Sequence, residues 1–575
     1  MLKDIKQKVK VIFSNKKRLR LTCLILSAFL IYCIISLIYF GPSNLGVLST
    51  HLFVNGGDTQ QFVWYYNWWP YALTHHLNPF ITNFDWYPKN YNLSWSTSIP
   101  TLSLIMAPFT LLGSAILSFN LVAILSPVLA ALTCFILLFY LSKKYAPSLI
   151  GGYIFGFSSF MLGQLLGHPQ QYVTCLIPLL VLLFLLLYRN RLKPLGYVIL
   201  TALTLVLQFG ISLEIFATFF FFSALTLIVF IILMPDQRKQ LLSTIKYSIV
   251  ALVLAVVILS PYLYYLILGF KEVPSTIHPL SAFSTDLASL IIPTPITLIG
   301  GSWLKILSNH FNGNLAENGA YMGLPILIIL LYVFIKQWGN KTNRALLISL
   351  ILIGIASLGP KLHLIGQVGN TIPMPWLVFS KLPLLKSAQP DRFSMYFFLI
   401  SAVVIALWLS SKPQSKKAQK LKYSFAIIGA MCLIPATGFY KYSVPHVPVL
   451  FQKSNLAHFL PKGTNVLILP FDNFGSGIYY QYASGMAFTQ TGGYIGFIPK
   501  YFAKNPVILA LETNAYPHSF KNQFAGFLIQ NKVNAVIIDP TLVNSTLLNT
   551  INSYKWPTTK EGSLVVIYVP RSLSR

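Results

Sequence analysis

Apolar runs of about 20 residues recur along the first three quarters of the chain, separated by short stretches rich in Lys and Arg. Each run is long enough to cross a hydrocarbon core of about 30 Å as a helix. Read by apolar length, spans fall at 21–41, 120–141, 147–164, 171–188, 194–212, 214–234, 245–268, 320–335, 343–358, 394–410 and 423–439. The loops Lys143–Lys144, Arg189–Lys193, Arg238–Lys239, Lys336–Arg344 and Lys412–Lys422 are basic, as is the segment before the first run. Positive charge stays on the cytoplasmic side, so this pattern puts all five loops and the N-terminus there. The first run is too long for a signal-peptide core and lacks a small-residue cleavage site, so it reads as a retained helix. Ser98–Gly113 is apolar, short and carries two prolines. A crossing there would move every later basic loop outside, so it reads as a re-entrant or interfacial helix. Eleven crossings and an outer C-terminus follow.

Three outer segments, Gly41–Phe119, Gly269–Gly319 and Gly359–Phe393, exceed the length of simple connectors. The first is dense in aromatics, among them Trp64, Tyr65, Tyr66, Trp68, Trp69 and Tyr71, which places it on the outer leaflet as amphipathic helices. After about Tyr442 the pattern changes. NVLILPF (465–471), AVIID (535–539) and LVVIYV (564–569) read as strands, and 520–532 reads as a helix. The expected fold is therefore an all-α polytopic membrane domain over 1–440, with a long first outer loop at 41–119, and a small extracytoplasmic α/β domain over 441–575.

Composition agrees with a membrane class. Of 575 residues, 55% are hydrophobic and 10% charged, where a soluble chain carries about 25% charged. The formal charge of +29 invites a nucleic-acid reading. More than half of the Lys and Arg residues lie in the N-terminus and the five basic loops, and no nucleic-acid motif accompanies them, so no nucleic-acid partner is expected. All five cysteines (Cys23, Cys33, Cys134, Cys175, Cys432) fall in apolar spans, without metal-ligand spacing. Of thirteen acidic residues only Asp4 and Asp236 fall on the cytoplasmic side, so acid–base chemistry is sought on the outer face. No Asp-x-Asp or adjacent acidic pair occurs there, and no essential divalent metal or other cofactor is expected. A P-loop, a nucleotide fingerprint and a nucleophile elbow are also absent.

Asp58 follows Gly56–Gly57 at the head of the first outer loop and reads either as the N-cap of a helix beginning at Thr59 or as a functional carboxylate. Arg392, just before a span, suits bidentate contact with phosphate, or serves as an interfacial anchor or a partner of Asp391. Lys271, Lys305, Lys361 and Lys386 are weaker cations on the same face. Glu214, at the outer edge of a span, is costly unless paired or facing water. His168 at a helix end, the pair His75–His76, Glu317 in ENGAYMGLP and Asp286 in STDLASLIIPTP read as substrate contacts or as ordinary polar positions.

The stretches GGDTQQFVWYYNWWPYAL, LNPF, NLSWSTSIPTL, FGFSSFMLGQLLGHPQ, ENGAYMGLP and QPDRF, with the order of helices and outer loops, resemble the GT-C superfamily of membrane glycosyltransferases, and within it bacterial YfhO-like multi-spanning proteins. The resemblance implies transfer of a sugar from a polyprenyl-phosphate donor to an acceptor in the cell envelope, at the outer face of the plasma membrane. It implies Asp58 as general base. Arg392 would receive the phosphate, Glu214, His168, Glu317 and Asp286 would contact substrate, and Trp64 and Trp68 would shape the sugar site. Two rivals stay open: a transporter or flippase of lipid-linked saccharides, and a degenerate GT-C fold retained for envelope assembly.

Overall fold

The computed structural model describes residues 2–271, 282–382, 385–452, 455–472 and 475–570. Its contacts divide the chain into two units: Met1–Ser43, Leu121–Ala255 and His278–Lys441 in one, Asn44–Asn120, Val256–Ile277 and Tyr442–Arg575 in the other. The first outer loop, expected to go with the membrane domain, thus clusters with the C-terminal residues.

The first unit is helical. Eight helical stretches among the described residues of the whole chain are long and apolar enough to cross a membrane: Leu19–Phe40, Ala115–Ser142, Tyr145–Gln164, Pro169–Tyr188, Pro194–Ile211, Leu213–Leu233, Pro235–Ile258 and Pro390–Ser410. The other three expected spans appear as helices of 13, 17 and 16 residues at Leu324–Lys336, Lys341–Ser357 and Lys416–Met431. At 1.5 Å per residue these are shorter than the apolar core, and the crossing count beyond eight rests on charge alone. On the first helix Leu26, Leu30, Ile34 and Ile38 are exposed at four-residue spacing, an apolar stripe suited to lipid. Gly152 and Gly156 let helices approach closely. A Cβ at Gly152 would meet the Ala131 carbonyl at 2.7 Å, and one at Gly156 the Pro127 carbonyl at 2.6 Å.

The second unit holds a five-stranded sheet. Its strands are β1 (Asn465–Leu469), β2 (Thr489–Gln490), β3 (Ala535–Ile538), β4 (Thr558–Glu561) and β5 (Leu564–Tyr568), in the order β4-β5-β3-β1-β2. β1 pairs in parallel with β2 and β3, and β5 pairs antiparallel with β3 and β4. β1 is buried along its whole length, as a central strand covered on both faces must be. Val466 and Ile468 of β1, Ala535 and Ile537 of β3 and Leu564 and Val566 of β5 share one core, alternate residues of each strand facing it. The three strands and the helix (Phe520–Gln530) read from the sequence lie where expected.

The β2 edge is covered by the first outer loop. Gln490 N donates to Phe84 O at 2.8 Å, Tyr87 N to Gln490 O at 3.0 Å, and Trp86 N to Gly492 O at 3.0 Å. A bare edge would leave these groups unpaired, and the bonds explain why residues distant in sequence form one unit. Leu52–Phe53 also pairs antiparallel with Tyr442–Ser443.

Candidate functional site

Two groups of polar side chains stand out, one in each unit. In the helical unit, Ser212 caps the helix Leu213–Leu233 and sets Glu214 in its first turn. The turn Pro390–Phe393 leads into the helix Ser394–Ser410 and carries Arg392. Ser158 caps the short helix Ser159–Gln164, and Ser159 Oγ lies 2.8 Å from Gly319 O and 2.6 Å from Tyr321 O, docking the loop that presents Glu317. Three stretches far apart in sequence, FGFSSFMLGQLLGHPQ, ENGAYMGLP and QPDRF, therefore converge.

Their side chains form a closed network. Arg392 Nε donates to Glu317 Oε2 at 2.9 Å, Nη2 to Glu317 Oε1, and Nη1 to Glu214 Oε2 at 2.5 Å. Gln164 Nε2 donates to Glu317 Oε2 at 2.9 Å, and His168 Nδ1 lies 2.9 Å from Gln164 Oε1 and 3.5 Å from Glu317 Oε1. Glu214 also accepts from Gln171 Nε2 at 2.7 Å and from Gln389 N at 2.8 Å. Burial opposes ionisation of Glu317, but the Arg392 guanidinium overrides it and holds the carboxyl at about 2. Three of the five guanidinium N–H groups are taken by carboxylates. One Arg between two Glu leaves the trio net negative, and the buried Gln171 Oε1 and Gln389 Oε1, without hydrogen-bond partners, are both acceptors. Arg392 bonds two carboxylates distant in sequence, where a partnership with the adjacent Asp391 was the local alternative.

In the second unit, Asp58 is not the cap of its helix. The helix runs Gly57–Thr74 with Gly56 as N-cap, and Thr59 Oγ1 accepts from Gly56 N and donates to Gly56 O, both at 2.8 Å. Asp58 is left in the first turn, where the helix dipole favours a carboxylate. Tyr494 lies beside it, and burial together with the Asp58 charge pushes ionisation of that phenol far up. Asp85 is nearby in the same unit and fully buried. Its Oδ1 accepts from Gln490 Nε2 at 2.7 Å, Oδ2 has no hydrogen-bond partner, and burial pushes the carboxyl up to about 7. Gln490, Gly492 and Gly493 line a small polar cavity with Asp472.

The structure thus brings Glu214, Glu317, Arg392 and His168 together and sets Asp58 beside Tyr494. Asp286 stands apart from the network. Its carboxylate accepts from Ala288 N at 2.9 Å, Ile365 N at 3.0 Å and Gly366 N at 2.8 Å, which makes it a loop brace. Trp64 and Trp68 stack at 5.2 Å and 7°, are 0% and 1% exposed, and donate to Gln481 Oε1 and Pro79 O. They are core, not faces open to a sugar, and the aromatic helix packs inside its unit instead of lying on a leaflet. Sequence reading missed Asp85 and Tyr494; the one local sign was the glycine-flanked GGYIG around Tyr494.

Among known proteins, the family description "Domain of unknown function (DUF6311)" matches residues 29–436. Comparison with curated protein sequences gives no match. Among solved structures, arabinofuranosyltransferase AftD from Mycobacteria is similar with a TM-score of 0.59 at 13% identity, covering 95% of this chain and 40% of its own. The archaeal oligosaccharyltransferase AglB from Archaeoglobus fulgidus, solved with an inhibitory peptide and a dolichol-phosphate, is similar with a TM-score of 0.53 at 15% identity, covering 90% of this chain and 69% of its own. This chain spans well under half the length of AftD. The shared feature is the fold.

Proposed function

We propose that this chain, which belongs to the DUF6311 family, is an integral membrane glycosyltransferase that moves a sugar from a polyprenyl-phosphate carrier to an extracytoplasmic envelope acceptor. The observation that carries the reading is a carboxylate at the head of the first outer segment of a GT-C-like fold, in the first turn of a helix that Gly56 caps and beside Tyr494. In the proposed step the acceptor hydroxyl attacks the anomeric carbon, and Asp58 takes its proton as the new C–O bond forms. The bond from that carbon to the phosphate oxygen breaks, and polyprenyl phosphate leaves with the electron pair. AglB in complex with dolichol-phosphate supports a carrier of this class. The Arg392–Glu214–Glu317 network is proposed as a brace for the helices and loop that carry it.

The test is release of polyprenyl phosphate by purified protein in lipid, offered radiolabelled polyprenyl-phosphate sugars and a crude envelope acceptor fraction. Asp58→Asn is expected to lose about 10²–10⁴-fold in turnover while folding normally. Undiminished turnover in that variant moves the base to another outer carboxylate.

One observation favours a second reading, a flippase for lipid-linked saccharides. The apolar stretches Tyr145–Gln164 and Pro169–Tyr188 are each interrupted, at Phe157–Ser158 and at Val173–Cys175, and buried Gln164, Gln170 and Gln171 lie close to the breaks. Broken helices with polar side chains are how transporters build substrate sites. Translocation of the same lipids across vesicle membranes, without donor turnover, selects it.

A further inference from the structure

We propose that the helix Gly301–Ser308 of the helical unit is a lipid anchor, its Trp303–Ile306–Leu307 face seated just below the headgroups of the outer leaflet and Lys305 at their phosphates. The inference holds for the transferase and flippase readings alike. The helix lies in the second long outer segment, and its eight residues, about 12 Å, do not span a bilayer. Trp303, Ile306 and Leu307 fall at i, i+3 and i+4, which puts them on one face. Trp303 and Ile306 are 70% and 72% exposed, and Leu298 and Ile299, just before the helix, are exposed as well. Ser302, Lys305 and Asn309, at three- and four-residue spacing, form an exposed polar stripe, while Ser308 is buried against the protein. A leaflet boundary suits such a face. The indole favours the headgroup level, and a lysine lays its stem along apolar chains while its charge reaches phosphate.

Its depth is set by backbone bonds to the ends of two expected spans. Leu298 N donates to Ile434 O and Ala436 N to Ile296 O, both at 2.8 Å and just past the helix Lys416–Met431. Met322 N donates to Leu290 O at 3.2 Å, just before the helix Leu324–Lys336. The two helices meet at these ends. A Cβ at Gly323 would lie 3.0 Å from Cys432 Cβ, and one at Gly429 2.8 Å from Ile326 Cγ1. Their lysines, Lys336 on one and Lys416, Lys417, Lys420 and Lys422 on the other, lie toward the opposite ends, which the charge pattern places in the cytoplasm. The segment is therefore hooked to the outer ends, and Gly301, three residues past Leu298, lies within about 11 Å of the hook. Downstream, a Cβ at Gly366 would meet His310 O at 1.7 Å, so the helix is held against protein on both sides. A second copy is the poorer occupant. One face of two turns supplies well under the roughly 800 Å² per partner of a stable interface, and Lys305 would be desolvated in it.

The test is depth-dependent quenching in the full-length protein, reconstituted in vesicles of phosphatidylcholine and phosphatidylglycerol. In a cysteine-free background, Ile306→Cys and Asn309→Cys each carry an environment-sensitive fluorophore. For a face about 5–10 Å deep, the Ile306→Cys label is expected to lose about half its emission to lipids brominated near the headgroup and much less to lipids brominated at the chain end. The Asn309→Cys label, on the polar stripe, should lose less than half as much. Adding Trp303→Lys, which changes an exposed side chain, should cut the quenching at Ile306→Cys about twofold. Quenching at Ile306→Cys no greater than at Asn309→Cys overturns the inference, as does quenching that Trp303→Lys leaves unchanged. Disulfide cross-linking between chains through Ile306→Cys, without quenching, assigns the face to a second copy and overturns it too.

Discussion

Glu317 and Asp85 are both buried carboxylates, and their partners decide opposite fates. Glu317 meets a guanidinium and is held at about 2; Asp85 meets an amide and is pushed up to about 7. A carboxyl whose folded value lies below its unfolded value, here 4.5, contributes stability that is complete above that value. The contribution is lost as pH falls from 4.5 toward 2. Thermal unfolding of the purified protein should therefore show a falling midpoint between pH 6 and pH 3, and Glu317→Gln should flatten that fall. At pH 6 the same variant should be less stable than wild type by about 3–5 kcal/mol, because Arg392 is left with an incomplete set of buried partners. A pH dependence as steep in Glu317→Gln as in wild type would remove Glu317 as its source. These pairings are not fixed locally: Glu214 stands out for its costly position at the outer edge of a span, Arg392 as a cation suited to phosphate, and Glu317 as a polar loop residue.

At the scale of elements, apolar length separated the helices long enough to span from a segment that is not. Ser98–Gly113 is the clearest instance. It folds as two six-residue helices, Pro100–Ile105 and Ala107–Leu112, each about 9 Å long and unable to span a bilayer. Leu104, Ile105, Phe109, Leu111 and Leu112 stay exposed on them, as an interfacial element requires. In a cysteine-free background, Leu112→Cys carrying an environment-sensitive fluorophore should be quenched by lipids brominated near the headgroup and little by those brominated at the chain end. Quenching by neither would show that this face does not touch lipid. The aromatic helix Gly57–Thr74 shows the opposite outcome. Its Trp and Tyr residues read as an interfacial belt, yet Trp64, Tyr65, Tyr66 and Trp68 are all buried in their unit. Aromatic side chains serve a leaflet and a protein core equally well, so composition alone does not choose between them.

At the scale of the molecule, orientation is the property most open to test. The basic loops place Lys143, Arg238 and Lys412 inside, and the same alternation places Asn44 and Lys560 outside. Single cysteines at these positions, in a cysteine-free background, should react with an impermeant maleimide from the cytoplasmic side in the first three and from the outer side in the last two. Reaction of Lys560→Cys from the same side as Lys143→Cys would reverse the assignment of the C-terminal domain.

The sequence by itself determined the membrane class, the existence of each helix long and apolar enough to span, with the one read at 245–268 lying ten residues earlier at Pro235–Ile258, and three of the five strands of the C-terminal sheet. These follow from local quantities, since the length of an apolar run and the period of alternation are set by bilayer thickness and strand pleat. Only the tertiary structure decided that the first outer loop joins the C-terminal domain through the β2 edge, that Arg392 faces Glu214 and Glu317, and that Tyr494 lies beside Asp58. Each of those depends on residues tens to hundreds of positions apart, and what a polar side chain does is set by the partner that long-range packing brings to it.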